Sequence, residues 1–106
     1  PSAARLNPTD SKIRSTLGLA LTRLEKFGEA EAAFEEALRI DAGSVLAHKG
    51  MAVVMGNSGR TDEAIAHLRR ALEADPAQLD ARDNLARLLL REGKREEAEA
   101  VRMGRK

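Results

Sequence analysis

The sequence contains no cysteine, no tryptophan and no tyrosine, and it has only two phenylalanines. Without cysteine the chain has no disulfide, no thiolate metal site and no cysteine nucleophile, an absence that fits any compartment. No apolar run approaches the roughly 20 residues of a membrane-spanning helix, and the first ten residues lack the apolar region of a signal peptide. We therefore expect no membrane partner. The location stays open, with a cytoplasmic one favoured, because a targeting segment upstream of Pro1 could have been removed.

The charge of the chain is balanced, because 18 basic and 17 acidic residues give a formal net charge of +1. Such a balance provides no global field that attracts nucleic acid or another acidic polymer. Arginine is frequent, but Arg69, Arg70 and the other basic residues are interleaved with acids, and the chain offers few aromatic rings on which bases stack. We expect no nucleic-acid partner.

Alanine and leucine, with 19 and 14 copies, are the main apolar residues, and strand-forming residues are sparse and scattered. Small and aliphatic side chains suit closely packed helices. The composition therefore favours an all-α fold over a sheet.

The sequence repeats itself at an offset of 34 residues. The segment Phe27–Asp41 (FGEAEAAFEEALRID) aligns with Thr61–Asp75 (TDEAIAHLRRALEAD). Further pairs keep the same register through three copies: Leu17-Gly18, Met51-Ala52 and Leu85-Ala86, and also Glu29-Ala30, Glu63-Ala64 and Glu97-Ala98. Three copies in one register predict a repeat architecture.

Each copy predicts two helices separated by a turn. In the second helix, apolar residues recur at i, i+4, i+7 and i+8, which is a helical stripe. Gly56–Gly59 and Glu92–Lys94 break the pattern within a copy, and Asp75-Pro76 closes one. Ser44 and Asp10 are placed to cap the helices that follow them. The predicted helices are Ser11–Leu24, Gly28–Ile40, Val45–Met55, Asp62–Ala74, Leu79–Arg91 and Arg95–Met103.

This pattern resembles the tetratricopeptide repeat, a helix–turn–helix unit of 34 residues. Places are counted from the first residue of each repeat, which is Ser11, Val45 or Leu79. The resemblance rests on small residues at places eight, twenty and twenty-seven and on a proline at place thirty-two. These residues are Gly18, Ala52, Ala86; Ala30, Ala64, Ala98; Ala37, Ala71; and Pro76. Place four, often aromatic in the family, is Arg14, His48 and Arg82. The resemblance implies an all-α solenoid of antiparallel helix–turn–helix repeats in a right-handed superhelical array.

The register divides the chain into four parts. Residues 1–10 are the tail of a preceding repeat or an N-terminal extension, residues 11–44 and 45–78 are two full repeats, and residues 79–106 are a third, incomplete repeat. Residues 3–8 (AARLNP) resemble the end of a second helix and the chain begins with Pro1, so we expect a fragment of a larger bacterial protein. Arg102 and Arg105 replace the apolar residue and the alanine that would face a following unit, which indicates a polar C-terminal cap.

No constellation of residues indicates catalysis. His48 and His67 have no histidine at i+4 and no cysteine partner, so we expect His48 in a packing position and His67 in solvent. Gly56–Gly59 lacks the preceding strand and the following lysine of a phosphate loop. No serine has a histidine and an acid in a plausible arrangement. The sequence predicts a protein that is not an enzyme, without a cofactor or a metal.

The resemblance implies that the first helices line a concave surface, which is the usual ligand surface of such arrays. Its inward positions are mildly basic and carry apolar side chains. We expect a peptide-binding groove that includes Lys12, Leu19, Arg23, Lys49, Val53, Asn84, Arg87, Leu90 and Arg91. The predicted partner is a protein or peptide segment with acidic and aliphatic residues. The alternative is self-association through the exposed array ends.

Overall fold

The computed structural model describes residues 8–104, and these residues form six α-helices and no strand. The helices are α1 (Pro8–Arg23), α2 (Phe27–Ile40), α3 (Val45–Asn57), α4 (Thr61–Ala74), α5 (Leu79–Arg91) and α6 (Arg95–Arg102). The predicted all-α fold is confirmed. The expected remnant of a preceding helix at residues 3–7 and the predicted role of Arg105 lie outside the described residues.

The first helix begins earlier than the sequence indicated. It starts at Pro8, so Asp10 lies inside its first turn and the prediction that Asp10 is the N-cap is wrong. Proline is favoured in the first turn, where its missing N–H has no helical partner to lose. The prediction for Ser44 is confirmed, because its hydroxyl accepts a hydrogen bond from the Ala47 N–H at 3.1 Å.

The helices pack as three consecutive hairpins, α1 with α2, α3 with α4 and α5 with α6. The first helix of each later hairpin packs on the preceding one, α3 on α1 and α2, and α5 on α4. The described residues span 45 × 27 × 18 Å, as expected for a short solenoid. None of the described helices has both the length and the apolar character needed to cross a membrane.

Small residues allow the helices to approach. Ala30, Ala64, Ala71 and Ala98 are at most 1% exposed, as the repeat register predicted. The largest fully buried apolar side chains lie among them: Phe34, Leu68, Leu85, Leu89 and Val54. Buried small residues beside large ones produce the dense packing that a narrow helical core needs.

The same place in every repeat turns the chain between the two helices of a hairpin. Glu25, Gly59 and Gly93 are 34 residues apart and have φ angles of 60°, 76° and 76°. A left-handed residue ends a helix sharply and is usually glycine. The first hairpin makes this turn with a glutamate.

Candidate functional site

A groove of about 270 Å³ opens between α3 and α5. Four of the residues predicted for the peptide-binding surface line it together, namely Val53, Asn84, Arg87 and Arg91. The remaining lining residues are Ala52, Gly56, Asn57, Leu68 and Leu88.

The spacing of the helices explains why the groove lies here. α1 packs directly on α3, where a Cβ added to Gly18 would lie 2.6 Å from the Phe34 ring and one added to Gly50 would overlap the same ring. One repeat later, Ala52 replaces Gly18 and Asn84 replaces Gly50. α5 accordingly packs on α4 and makes few contacts with α3. Both of these larger residues line the groove.

The groove carries hydrogen-bond donors beside an apolar surface. Arg87 and Arg91 are exposed and stand one helical turn apart, and the Arg87 guanidinium donates to the Asn84 side-chain oxygen. Asn57 donates to the Val53 carbonyl at 2.8 Å. The side chain of Val53 is 44% exposed. Two guanidinium groups on a rigid helix can hold a carboxylate, while Val53 offers an apolar contact.

The other predicted site residues lie outside this groove. Lys12 and Arg23 are exposed on α1, and Leu19 is half-buried and packs against the core. Leu90 is 40% exposed beside Arg91 but does not line the groove.

Lys49 has partners within the chain. Its ammonium group lies 2.7 Å from an Asp80 carboxylate oxygen and donates to the Gln78 side-chain oxygen at 2.8 Å. The hydrogen bond from Lys49 lowers the pKa of Asp80 below its usual range. Lys49 therefore ties the second repeat to the third. The sequence placed Lys49 on the predicted groove surface but did not indicate its pairing with Asp80.

The two histidines contact each other, and the prediction that His67 lies alone in solvent is wrong. Their Nδ1 atoms are 2.9 Å apart, and His48 Nε2 lies 2.8 Å from the Ala42 carbonyl. A carbonyl accepts only, so His48 Nε2 carries a proton and, in the neutral pair, His67 Nδ1 donates to His48 Nδ1. The predicted packing role of His48 is confirmed, since it is 6% exposed.

Burial lowers the pKa of His67, and nearby His48 lowers it further.

Places four and twenty-three of the second repeat hold His48 and His67, and in the third repeat they hold Arg82 and Val101. Arg82 and Val101 both line a cavity of about 550 Å³ between α4, α5 and α6. The signal for the histidine contact was therefore the register between repeats, because the same two places contact each other in the second repeat and line one cavity in the third.

A charge cluster joins α2 to α4 near the histidines. The Arg60 guanidinium donates to Glu31 at 3.0 Å and to Glu63 at 2.9 Å. The hydrogen bond from Arg60 lowers the pKa of Glu63, and both glutamates raise the pKa of Arg60. Within residues 8–104, no group of three or more His, Asp or Glu side chains is arranged to hold a metal ion.

Two sequence models of one family match the chain. Both are described as tetratricopeptide repeat, and they match residues 11–44 and 57–101. Together they cover most of the chain.

Two curated proteins are similar in sequence. The peroxisomal targeting signal receptor of Saccharomyces cerevisiae is 34% identical over 84 residues, and that of Candida glabrata is 33% identical over 82 residues. These matches cover 79% and 77% of this chain. They cover only 14% of each receptor, so the chain corresponds to a small part of these relatives.

Solved structures have the same fold. The crystal structure of MamA superposes with a TM-score of 0.85 at 20% identity, covering 93% of this chain and 58% of MamA. The Pseudomonas aeruginosa PilF structure superposes with a TM-score of 0.81 at 25% identity, covering 91% of this chain and 43% of PilF.

Proposed function

The chain belongs to the tetratricopeptide-repeat family, whose fold serves as a protein–protein interaction scaffold, and we propose that it binds a segment of a partner protein in the groove between α3 and α5. The observation that carries this proposal is the meeting of Val53, Asn84, Arg87 and Arg91 in one opening. Members of this family are generally interaction modules without catalysis, and we propose the same for this chain.

The chemistry of the groove suits an acidic and aliphatic segment. Arg87 and Arg91 offer a planar set of donors that matches a carboxylate, and such charge-assisted contacts fix orientation and direct association. The exposed part of Val53 would contact an aliphatic side chain of the segment. Because the groove residues stand on packed helices, little backbone freedom is lost on binding.

Two predicted cations on α1 extend the same proposal. Lys12 and Arg23 are exposed on α1, which packs on α3. A longer ligand that continued past α3 would meet these two cations. Leu19 and Lys49 contribute less in this arrangement, since Leu19 packs against the core and Lys49 is paired with Asp80.

The similar yeast proteins are, by their name, receptors for a targeting signal. This similarity supports a role in recognising a segment of another protein. The matched part is 14% of each receptor, so the nature of their signal is not transferred to this chain.

A charge-reversal pair tests the groove. Peptides selected from a random displayed library against the full chain would serve as ligands, and titration calorimetry would measure their affinity. We expect selected peptides to carry acidic and aliphatic residues and Arg87→Glu with Arg91→Glu to weaken binding by about tenfold or more, which equals about 1.4 kcal/mol. Added salt should weaken the wild-type complex as well.

The matched control is Arg69→Glu with Arg70→Glu on α4, which changes the net charge equally. Both of these arginines are exposed and lie outside the groove between α3 and α5. Equal weakening by the two double variants would mean that only net charge matters. Unchanged binding of the Arg87 and Arg91 variant would rule out this groove.

Self-assembly through the array ends is the second candidate function. It is motivated by exposed apolar residues on α1, including Ile13 and Leu17. Head-to-tail stacking also needs an apolar face at the other end, where Glu99 and Arg102 are exposed. Sedimentation equilibrium over a range of concentrations would distinguish an assembling chain from a monomeric adaptor.

A further inference from the structure

The second repeat collects side chains that can bind a metal ion through nitrogen and sulfur. Both histidines of the chain and two of its three methionines lie on α3 and α4. These residues are His48, Met51, Met55 and His67. The equivalent places of the first and third repeats hold Arg14, Leu17, Leu21 and Ala33, and Arg82, Leu85, Leu89 and Val101. The set therefore belongs to one repeat, and the shared packing of the array does not require it.

A cavity of about 620 Å³ brings three of these residues together between α2, α3 and α4. Met51, Met55 and His67 all line it. The two methionines are one helical turn apart on α3, and each is only 3% exposed. The cavity lies at the interface of the first and second hairpins, so its walls are not an end face of the array.

The histidine contact determines which nitrogen of His67 can bind a metal ion. His48 Nε2 donates to the Ala42 carbonyl, so His48 Nδ1 accepts from His67 Nδ1. His67 Nε2 is then unprotonated. Among the described residues, none forms a hydrogen bond with this nitrogen. Histidines that bind metals almost always donate their other ring N–H to a fixed acceptor, as His67 does here.

The charges around His67 are compatible with a bound cation. Burial and His48 lower the pKa of His67, so few protons compete for Nε2 near neutral pH. Three acids and two bases also line the cavity, namely Glu31, Glu35, Glu63, Arg39 and Arg60. Arg60 is held by Glu31 and Glu63. The lining therefore has one more acid than base.

The ligand types select a soft metal ion. Thioether sulfur suits Cu(I), whereas magnesium and calcium take oxygen ligands. Structural zinc takes four ligands, usually thiolate and imidazole. Within residues 8–104, no three His, Asp or Glu side chains form a metal site. Two thioethers and one neutral imidazole therefore favour Cu(I).

We propose that the second repeat binds one Cu(I) ion through His67 Nε2 and the sulfur atoms of Met51 and Met55. His48 is a positioning residue, because its Nδ1 holds His67 in the tautomer that leaves Nε2 free for the metal. The site shares no lining residue with the groove between α3 and α5. A bound ion links α3 to α4 and stabilises the folded chain.

The test uses Ag(I), a soft monovalent ion that is stable in air, as the probe. Silver nitrate is titrated into the full chain in chloride-free buffer and followed by calorimetry and NMR. We expect one ion per chain, a higher melting temperature, and shifts at His67 Nε2 and at the methyl groups of Met51 and Met55. Cu(I), added without oxygen in competition with bicinchoninate, should bind with the same stoichiometry.

The variants take their residues from the third repeat. Met51→Leu with Met55→Leu copies Leu85 and Leu89, so we expect the chain to keep its circular dichroism spectrum and to lose this Ag(I) binding. The matched control is Met103→Leu, since Met103 is 66% exposed and does not line the cavity. This control should bind like the wild type.

The role of His48 has its own readout. His48→Asn keeps all three ligands but removes the acceptor of the His67 Nδ1–H, so we expect Ag(I) binding to weaken by about tenfold. The ¹⁵N shifts of His67 should also show that the tautomer with a bare Nε2 is less populated than in the wild type. Unchanged ¹⁵N shifts would remove His48 from the proposal.

Other results would overturn the site itself. One is a double leucine variant that binds Ag(I) like the wild type. Another is a wild-type titration that shifts the Met103 methyl group but not those of Met51 and Met55, which would mean an adventitious ion only. The NMR shifts identify the ligands even if a variant fails to fold. The Arg87 and Arg91 double variant should keep Ag(I) binding, so failure here is distinguishable from failure of the groove proposal.

Discussion

Gly18 and Gly50 both lie against the ring of Phe34, so one aromatic side chain sets the distance between α1, α2 and α3. A Cβ at either place would enter the space of the ring. Gly56, near the end of α3, has no neighbouring atom within 4 Å of the same added Cβ. Packing therefore requires glycine at position 50, whereas at position 56 it leaves room for a side chain.

We expect Gly50→Ala to lower the free energy of unfolding by about 1–3 kcal/mol, because the added methyl group overpacks the site. Gly56→Ala should be neutral or raise it by up to about 1 kcal/mol, since alanine is the better helix former. Urea unfolding followed by circular dichroism at 222 nm measures both. A Gly50→Ala chain as stable as the Gly56→Ala chain would contradict this packing.

The contact between His48 and His67 predicts a pH dependence of stability. Burial and His48 hold the pKa of folded His67 below the value of about 6.5 that the unfolded residue has. As pH falls from 7.5 towards 5, the unfolded chain therefore takes up a proton at His67 before the folded chain does. The unfolding free energy must then decrease with falling pH. Glu63 raises the pKa of His67 and so opposes this effect, while Arg60 and Arg70 lower that pKa and add to it.

The variant His67→Asn isolates this contribution, because asparagine keeps an N–H donor but does not titrate in this range. Its stability should fall less steeply than that of the wild type between pH 7.5 and 5. Urea unfolding at four or five pH values measures the two slopes. Parallel slopes would exclude His67 as the titrating group.

At the scale of elements, the turn between the helices of each hairpin depends on one left-handed residue. Gly59 and Gly93 adopt this conformation without a side chain to clash, whereas Glu25 adopts it with one. A left-handed residue other than glycine costs about 1–2 kcal/mol. The first hairpin therefore contains a strained turn that the other two avoid.

We expect Glu25→Gly to raise the free energy of unfolding by about 0.5–1 kcal/mol, which is the relieved strain less the greater entropy that glycine loses on folding. The reciprocal change Gly59→Ala should lower it by about 1 kcal/mol. Thermal unfolding of both variants and the wild type provides the comparison. The idea fails if both variants shift the melting temperature in the same direction.

Elements of adjacent repeats are joined by side chains as well as by packing. Lys49 on α3 reaches Asp80 on α5, and Arg60 joins α2 to α4 through Glu31 and Glu63. These contacts lie at the surface, so their net contribution to stability is small. They link neighbouring hairpins, the first to the second through Arg60 and the second to the third through Lys49.

At the scale of the whole molecule, stability is approximately the sum of hairpin terms and of the interfaces between neighbouring hairpins. Removing the third hairpin removes one interface and uncovers the α4 surface on which α5 packs. A chain ending at Gln78 should therefore unfold at a lower urea concentration. Its free energy of unfolding should also change less steeply with urea concentration, because less surface is exposed on unfolding. Circular dichroism at 222 nm measures both quantities.

The control for this truncation is a chain ending at Met103, which keeps all six helices. Its urea midpoint should match that of the full chain. A truncation at Gln78 with an unchanged midpoint would show that the hairpins do not stabilise one another.

The sequence by itself determined the elements of this protein. The offset of 34 residues placed six helices, Ser44 as a cap and the buried alanines such as Ala30 and Ala64, because these features depend on local periodicity and on packing that recurs in every repeat. The resemblance to the family, read on that register, also predicted Val53, Asn84, Arg87 and Arg91 as residues of one surface.

Only the tertiary structure decided what differs between the repeats. It opened a groove between α3 and α5, it paired Lys49 with Asp80, and it brought His48 to His67. The physical reason is that the distance between two helices depends on the residues of both, such as Gly50 against Phe34 or Asn84 in the equivalent place. A repeat pattern describes what the copies share, whereas a binding groove arises where one interface is packed differently from the next.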